Sequence, residues 1–435
     1  MTEPVELCRR LIRIDTTNPP GNERPAIELL RAELKAAGIS TELVALDPER
    51  PSLIARIPGE GSAPPLLLQG HVDTVPVTDQ LWSRDPFGGE VADGFIWGRG
   101  TLDMKGPIVM MVEALRRIAT SSPPPAGDII LAVVPDEEMH GTLGARYLAE
   151  EHAELFDGVR YCLGEFGGFP FRFGGKRFYP IQVAERIGVG FELALEGPPG
   201  HGSIPIRGGS MAKLGEVLRR LDRKAMPVHL TEPTRLMVTA LADHSTGATR
   251  FVLERLLDER TAGPALKLAG ERMAIFEPLF RNTVTATVVR GGDKHNVIPP
   301  KVTLNLDGRM LPGITPEAFE RELRDLIGVE CEIRTVTDGS TTPMNPDMAL
   351  FELLAGALVE HDPEAIPIPF LMPAVTDGRW FAQLGIQPYG FTPMTLPEGF
   401  DFQKTVHGAD ERIPVDALDF GVGVLEHVLR HYGRD

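Results

Sequence analysis

Imidazoles and carboxylates recur in this chain where apolar runs break into turns. Leu66-Leu67-Leu68-Gln69-Gly70 ends in His71 and Asp73, Ile129–Val134 ends in Asp136-Glu137-Glu138, and Tyr161-Cys162-Leu163-Gly164 ends in Glu165. Asp103 stands in Gly98-Arg99-Gly100-Thr101-Leu102-Asp103-Met104-Lys105-Gly106, and His407 in the polar turn Val406-His407-Gly408-Ala409-Asp410-Glu411. Singly, each has a plainer reading: a strand-end histidine beside an acid, a helix N-cap for Asp103, a solvated acidic loop for residues 136–138. Together, His71, Asp103, Glu138, Glu165 and His407 form a nitrogen and oxygen ligand set suited to two borderline divalent cations such as zinc, with one aspartate bridging them. Such a pair of ions polarises a carbonyl and lowers the pKa of a bound water toward ~7. Glu137, next to Glu138, is the carboxylate left to take the water's proton. Asp73 is placed to orient the His71 ring.

Something must carry those side chains to one edge. Alternating strands and helices in the N-terminal half predict a mainly parallel sheet covered by helices, whose strand ends deliver ligands to a common edge. Strands are expected at Thr41–Leu46, Leu53–Arg56, Pro65–Gln69, Asp128–Val134 and Tyr161–Leu163. Helices are expected at Pro4–Ile14, Asn22–Ala37, Gly106–Ala119 and Gly144–His152. Thr16-Thr17-Asn18-Pro19-Pro20-Gly21-Asn22 reads as a loop of turn residues. From about residue 185 the pattern changes to apolar and polar alternation, Val189–Glu196, which suits a sheet with one solvated face. A helix Met211–Arg223, a long helical insert near Thr249–Glu271, strands Asn282–Val289 and Lys301–Asp307, helix Pro316–Ile327 and strand Val329–Val336 complete that region. A helix Pro346–Glu360 and a closing segment return to the first style. The expected organisation is residues 1–184 and 340–435 as one α/β domain, with 185–339 inserted as a smaller α+β domain.

Composition narrows the class. The chain has 435 residues, a net charge of −17 and cysteines only at 8, 162 and 331. Three scattered cysteines make no CxxC pair and no disulfide framework. An acidic chain without clustered Lys and Arg is unsuited to nucleic acid. No apolar run approaches the ~18 residues of a membrane span, and Met1–Asp15 lacks the apolar core of a secretory signal. A cytoplasmic protein with neither nucleic-acid nor membrane partners is expected.

The motifs resemble those of the di-zinc amidohydrolases and exopeptidases: aminoacylases, carboxypeptidases of the G and S types, acetylornithine deacetylase and succinyl-diaminopimelate desuccinylase. The resemblance spans nearly the whole chain. It rests on Gly70-His71-Val72-Asp73-Thr74-Val75-Pro76, Gly98-Arg99-Gly100 through Asp103-Met104-Lys105-Gly106, Asp136-Glu137-Glu138, Gly164-Glu165, Gly200-His201-Gly202-Ser203-Ile204-Pro205, Asn296-Val297-Ile298-Pro299 and His407-Gly408-Ala409-Asp410-Glu411. It implies two Zn2+ per chain, with Co2+ or Mn2+ as substitutes: His71 and Glu165 on one, Glu138 and His407 on the other, Asp103 between them. It further implies Glu137 as general base and then acid, and Asp73 as the partner of His71. The inserted domain would be a ferredoxin-like lid and dimerisation domain of a homodimer, whose His201 stabilises an oxyanion in the partner's site. Asn296 and Arg309 would meet the substrate, Arg309 through its α-carboxylate, and Gly378 and Arg379 would stand at the pocket rim.

Two positions depart from the family pattern: His140 where a small residue is usual, and Phe166 where proline is common. By the resemblance, Glu165, where di- and tripeptidase relatives tend to have Asp, implies a deacylase or carboxypeptidase. The implied reaction is cleavage of the amide of an N-acyl amino acid or of a C-terminal peptide bond. A biosynthetic deacylase is the alternative within the same chemistry, and a non-catalytic scaffold that retains the fold is the alternative outside it. Phe166, Phe169, Phe171 and Phe173 suit bulky apolar substrates or, equally, a buried core stripe.

Overall fold

The strand Leu66–His71 lies at the middle of a nine-stranded sheet and is buried along its whole length. It pairs in parallel with Ile129–Val134 on one side and with Tyr161–Gly164 on the other, and the latter pairs in parallel with Gln387–Gly390. Antiparallel strands flank this core: Ser52–Ile57 and then Ser40–Val44 on one side, Lys176–Glu185 on the other. The computed structural model describes residues 2–269 and 276–434.

Burial on both faces explains the unbroken apolar runs. Leu66, Leu68, Ile129, Leu131 and Val133 belong to one core layer with the helices Lys105–Ala119 and Val415–His431, which pack on each other. Leu67, Ile130, Ala132 and Val134 face the opposite layer with Leu148, Phe156 and Phe381. Each fully buried leucine or isoleucine contributes about 1.5–3 kcal/mol of transfer free energy. This layering holds the strand ends in register, so residues 71, 135 and 165 emerge side by side.

The chain divides into two compact units. One comprises residues 1–183, 347–370 and 376–435, the other 184–346 and 371–375. The second contains a four-stranded antiparallel sheet in the order Thr283–Arg290, Lys301–Met310, Ile187–Glu196, Glu332–Val336. With helices Ser210–Arg223 and Pro316–Ile327 this is a ferredoxin-like α+β fold. Val189, Phe191, Leu193 and Leu195 alternate inward onto Phe319, Leu323 and Ile327, and the Phe191 and Phe319 rings meet edge to face at 5.0 Å.

Three local expectations shift. The helical insert is a helix Glu232–Asp243 followed by Gly247–Leu256 and Glu259–Ala269; residues 270 and 271 of the expected span lie outside the described residues. Asp258 explains the break, because its Oδ1 accepts the Arg260 N–H at 2.9 Å and its carbonyl accepts those of Thr261 and Ala262, starting a new helix. The helix expected from Pro346 begins at Phe351, because Asp347 Oδ1 captures the Ala349 N–H at 3.1 Å in a turn. Lys176–Glu185 and Ile366–Met372 add two strands to the large sheet beyond those expected. Among the described residues no helix is long and apolar enough to cross a membrane.

Candidate metal centre

His71 closes its strand with a ring that is wholly buried. Its Nδ1 lies 3.1 Å from the carbonyl oxygen of Asp73 and 3.4 Å from Asp73 Oδ1. In the neutral ring the hydrogen on Nδ1 serves that carbonyl, so the Nε2 lone pair faces the cluster. Nε2 is 3.0 Å from Asp103 Oδ1 and 3.8 Å from Glu165 Oε2. The other oxygen of Asp103 is 3.0 Å from His407 Nε2, which is also 3.3 Å from Glu138 Oε1. One aspartate thus stands between two imidazoles, with Glu165 on one flank and Glu138 on the other.

Asp103 does not cap the helix that follows it. The N-cap position is Met104, and no side chain caps that end. Residues 136–138 are not a solvated loop either, since Asp136 is buried and Glu137 and Glu138 are half-buried. Asp73 Oδ1 accepts the Glu137 N–H at 3.1 Å and Oδ2 the Glu138 N–H at 3.2 Å. The residue beside His71 therefore also fixes the turn that carries both glutamates.

The charge state reflects this crowding. Burial alone would lower the His71 pKa, yet Asp103 and Asp73 hold it well above its ordinary value. The Asp103 and Glu138 carboxylates raise His407 to about 10. Burial would raise Asp103, but His407 and His71 hold it far below the usual range. Burial drives Glu165 well above that range, with Asp103 and Glu137 adding to it. Burial does the same to Glu137, opposed by His71 and reinforced by Asp377 and Glu138.

The donor set fits divalent cations. His71, Asp103 and Glu138 offer ligand atoms all within 4.8 Å of one another, as do His71, Glu137 and Glu165. Glu165 Oε2 is buried without a hydrogen-bond donor, an arrangement that is costly for a carboxylate unless a cation serves it.

The sequence assigns no role of their own to Glu411, Arg99 and Asp377, each of which is buried. Glu411 is buried, accepts the Leu102 N–H at 2.8 Å and pairs with buried Arg99 at 2.5 Å, locking the Asp103 turn to the His407 turn. Arg99 also donates to the His407 carbonyl at 3.2 Å. Asp377 is buried with neither carboxylate oxygen hydrogen-bonded, and burial raises its pKa to about 7. Gly378 and Arg379 lie in the short helix Gly378–Ala382; Arg379 is 3% exposed and donates to the carbonyls of Thr376 at 2.8 Å and His140 at 3.2 Å. Phe166 has φ +70 and packs against Phe169, Phe370 and Phe402, while Phe171 and Phe173 pack on Phe178.

His201, Asn296 and Arg309 belong to the second unit. His201 pairs with Val297 in a two-stranded ribbon, and the Asn296 carbonyl accepts the Gly202 N–H at 2.8 Å. His201 Nδ1 accepts the Ser203 N–H at 3.2 Å, which leaves Nε2 as the proton-bearing nitrogen of the neutral ring. Arg309 pairs with Asp307, Nε to Oδ1, at 3.1 Å.

A parallel-centred α/β sheet whose strand ends and adjoining turns gather two imidazoles and acidic ligands defines a metallohydrolase. The chain belongs to peptidase family M20/M25/M40, whose model matches residues 67–431. The N-fatty-acyl-amino acid synthase/hydrolase PM20D1 of Bos taurus is 29% identical over 86% of this chain and 76% of its own. The succinyl-diaminopimelate desuccinylase of Paracoccus denitrificans is 27% identical over 99% of this chain and 98% of its own. An M20 family metallo-carboxypeptidase from Sulfolobus solfataricus shares the fold with a TM-score of 0.73 at 17% identity, covering 100% of both chains.

Proposed function

We propose that this protein is a zinc-dependent amidohydrolase that cleaves the amide of N-acyl amino acids or a C-terminal peptide bond. His71 and Glu165 would hold one cation, Glu138 and His407 the other, with Asp103 shared. The observation that carries this reading is the placement of Asp103 3.0 Å from both histidines. Bound there, the cations supply Lewis-acid polarisation of the scissile carbonyl and acidify water.

The chain's residues do the rest. Glu137 takes a proton from the attacking water on its carboxylate and passes it to the departing amine nitrogen. Its raised proton affinity suits a group that must hold that proton between steps. Asp73 keeps the Nε2 of His71 turned inward. His201 Nε2–H is the donor for the developing oxyanion, contributed across a homodimer by the partner subunit. Residues 185–339 would act as the lid and dimerisation domain. Arg309 would exchange Asp307 for the substrate's carboxylate, for which its fork is suited. Asn296 lines the substrate site, and Gly378 and Arg379 shape its rim from behind. A cytoplasmic location is supported by the free thiols Cys8, Cys162 and Cys331.

The desuccinylase relative favours a second reading, removal of a short acyl group from a diamino acid. Release of amine from a panel of long- and short-chain N-acyl amino acids and dipeptides, run with zinc, cobalt and manganese, separates the two. A chain that binds no cation and hydrolyses nothing overturns both.

A further inference from the structure

Thr16-Thr17-Asn18-Pro19-Pro20-Gly21-Asn22 takes no part in the roles above, yet it is fastened to the strand end that carries His71. Thr16 Oγ1 donates to the Val72 carbonyl at 2.6 Å, Asn18 N–H to that of Thr74 at 2.9 Å, and Thr74 N–H to that of Thr16 at 3.1 Å. The Asn18 side chain is buried. Its Nδ2 lies 2.9 Å from Asp73 Oδ2 and 3.2 Å from Asp136 Oδ1.

Residue type matters at this point. The –NH2 of a carboxamide carries two donors that diverge in one plane, so a single neutral group can serve two carboxylates. Its oxygen would repel both. A lysine or arginine would add a charge beside the ligands, and a hydroxyl has only one donor.

What Asn18 joins is the frame of the centre. Asp73 orients His71 and receives the N–H groups of Glu137 and Glu138. Asp136 receives the Leu143 N–H at 3.1 Å through its other oxygen, closing the loop that follows the glutamates. Arg50 backs Asp136 at 3.4 Å and pairs with buried Glu23 at 2.5 Å. Gly21, at φ +86, leaves room for Arg50, since a Cβ there would stand 2.3 Å from the guanidinium carbon.

We propose that Asn18 is a positioning residue of the metal centre, a neutral cross-brace that fixes the spacing between His71 and the Glu137–Glu138 pair through Asp73 and Asp136. The inference rests on the metallohydrolase reading.

The test uses the full-length protein loaded with Co2+: wild type, Asn18→Ala, the near-isosteric Asn18→Asp, Asp136→Asn, and Asn18→Ala with Asp136→Asn. Co2+ affinity by chelator competition and the visible d–d band report the ligands without any substrate; kcat and KM on the best N-acyl amino acid and the thermal midpoint complete the set. Weakening a support of this kind changes metal affinity or rate by about 10- to 100-fold. Asn18→Ala should do so with KM within about twofold, Asn18→Asp should be worse, and the double variant should be no worse than the worse single one, because both changes break one bridge. Multiplying effects, or a lowered thermal midpoint with unchanged band, affinity and kcat, would overturn the inference alone. If Asn18→Ala does not fold, the same comparison between Asn18→Asp and Asp136→Asn decides. Wild type that binds no Co2+ overturns the metallohydrolase reading and the inference with it.

Discussion

Asp103 Oδ2 lies 3.0 Å from His407 Nε2, while Oδ1 of the same carboxylate lies 3.0 Å from His71 Nε2. A group so placed serves both halves of a two-cation site. Asp103→Ala should therefore remove more metal than loss of either histidine alone, leaving well under one cation per chain by elemental analysis. Its kcat should fall by at least ~1000-fold, as expected when electrostatic stabilisation of the transition state is dismantled. Asp103→Ala with two tightly held cations would contradict the bridging role.

Glu411 and Arg99 are both buried and bound to each other. Removing one partner of a buried ion pair costs about 3–5 kcal/mol, because the other is left charged and unpaired. Glu411→Ala should lower the urea midpoint accordingly and loosen the Asp103 turn, whose Leu102 N–H it receives. Replacing both members by apolar residues should recover part of the stability but not the activity.

Cation binding should be proton-coupled. Asp103 and Glu138 raise His407 to about 10, above the 6.5 of an ordinary histidine. A raised folded-state pKa gives stability that is complete below the unfolded value and lost as pH rises through the folded one. The cation-free protein should therefore lose this contribution between pH 6.5 and about 10. A cation needs the neutral ring and displaces the proton, so its stabilising effect should grow over the same window. Thermal midpoints with and without Co2+ from about pH 6 to 8.5 check this; a shift that stays flat or shrinks contradicts it.

Gly141 has φ +70, and a Cβ there would stand 2.5 Å from Asp377 Oδ1 and 3.1 Å from Trp380 Nε1. Gly141→Ala should cost ~1–3 kcal/mol through strain and crowding. Because the Gly141 N–H binds the Asp136 carbonyl, kcat should fall beyond what the loss of folded protein explains. Circular dichroism melts with active-site titration separate the two effects.

The central strands and their terminal acids were legible because burial on both faces writes an unbroken apolar run that stops abruptly at Gly70, Val134 and Gly164. The smaller α+β unit was legible from alternation in Val189–Glu196, part of the strand Ile187–Glu196. The strand Lys176–Glu185 was not, since all but its first two residues are buried and its run is interrupted by Pro180 and Gln182. Nor were the cross-links. Arg99 with Glu411, and Asn18 with Asp73 and Asp136, join residues far apart in the chain, and no local period encodes such pairs. Asn18 read as a turn residue because asparagine suits turns and carboxylate bridging equally.

The account turns on Glu137 as the proton carrier, a claim tested most directly by replacing it and measuring metal and turnover together. Glu137→Ala should retain the wild-type cation content while kcat on an N-acyl amino acid falls by ~100- to 10,000-fold, the usual worth of general acid–base catalysis. Wild-type turnover in that variant, or a loss of activity that merely tracks lost metal, would contradict the assignment.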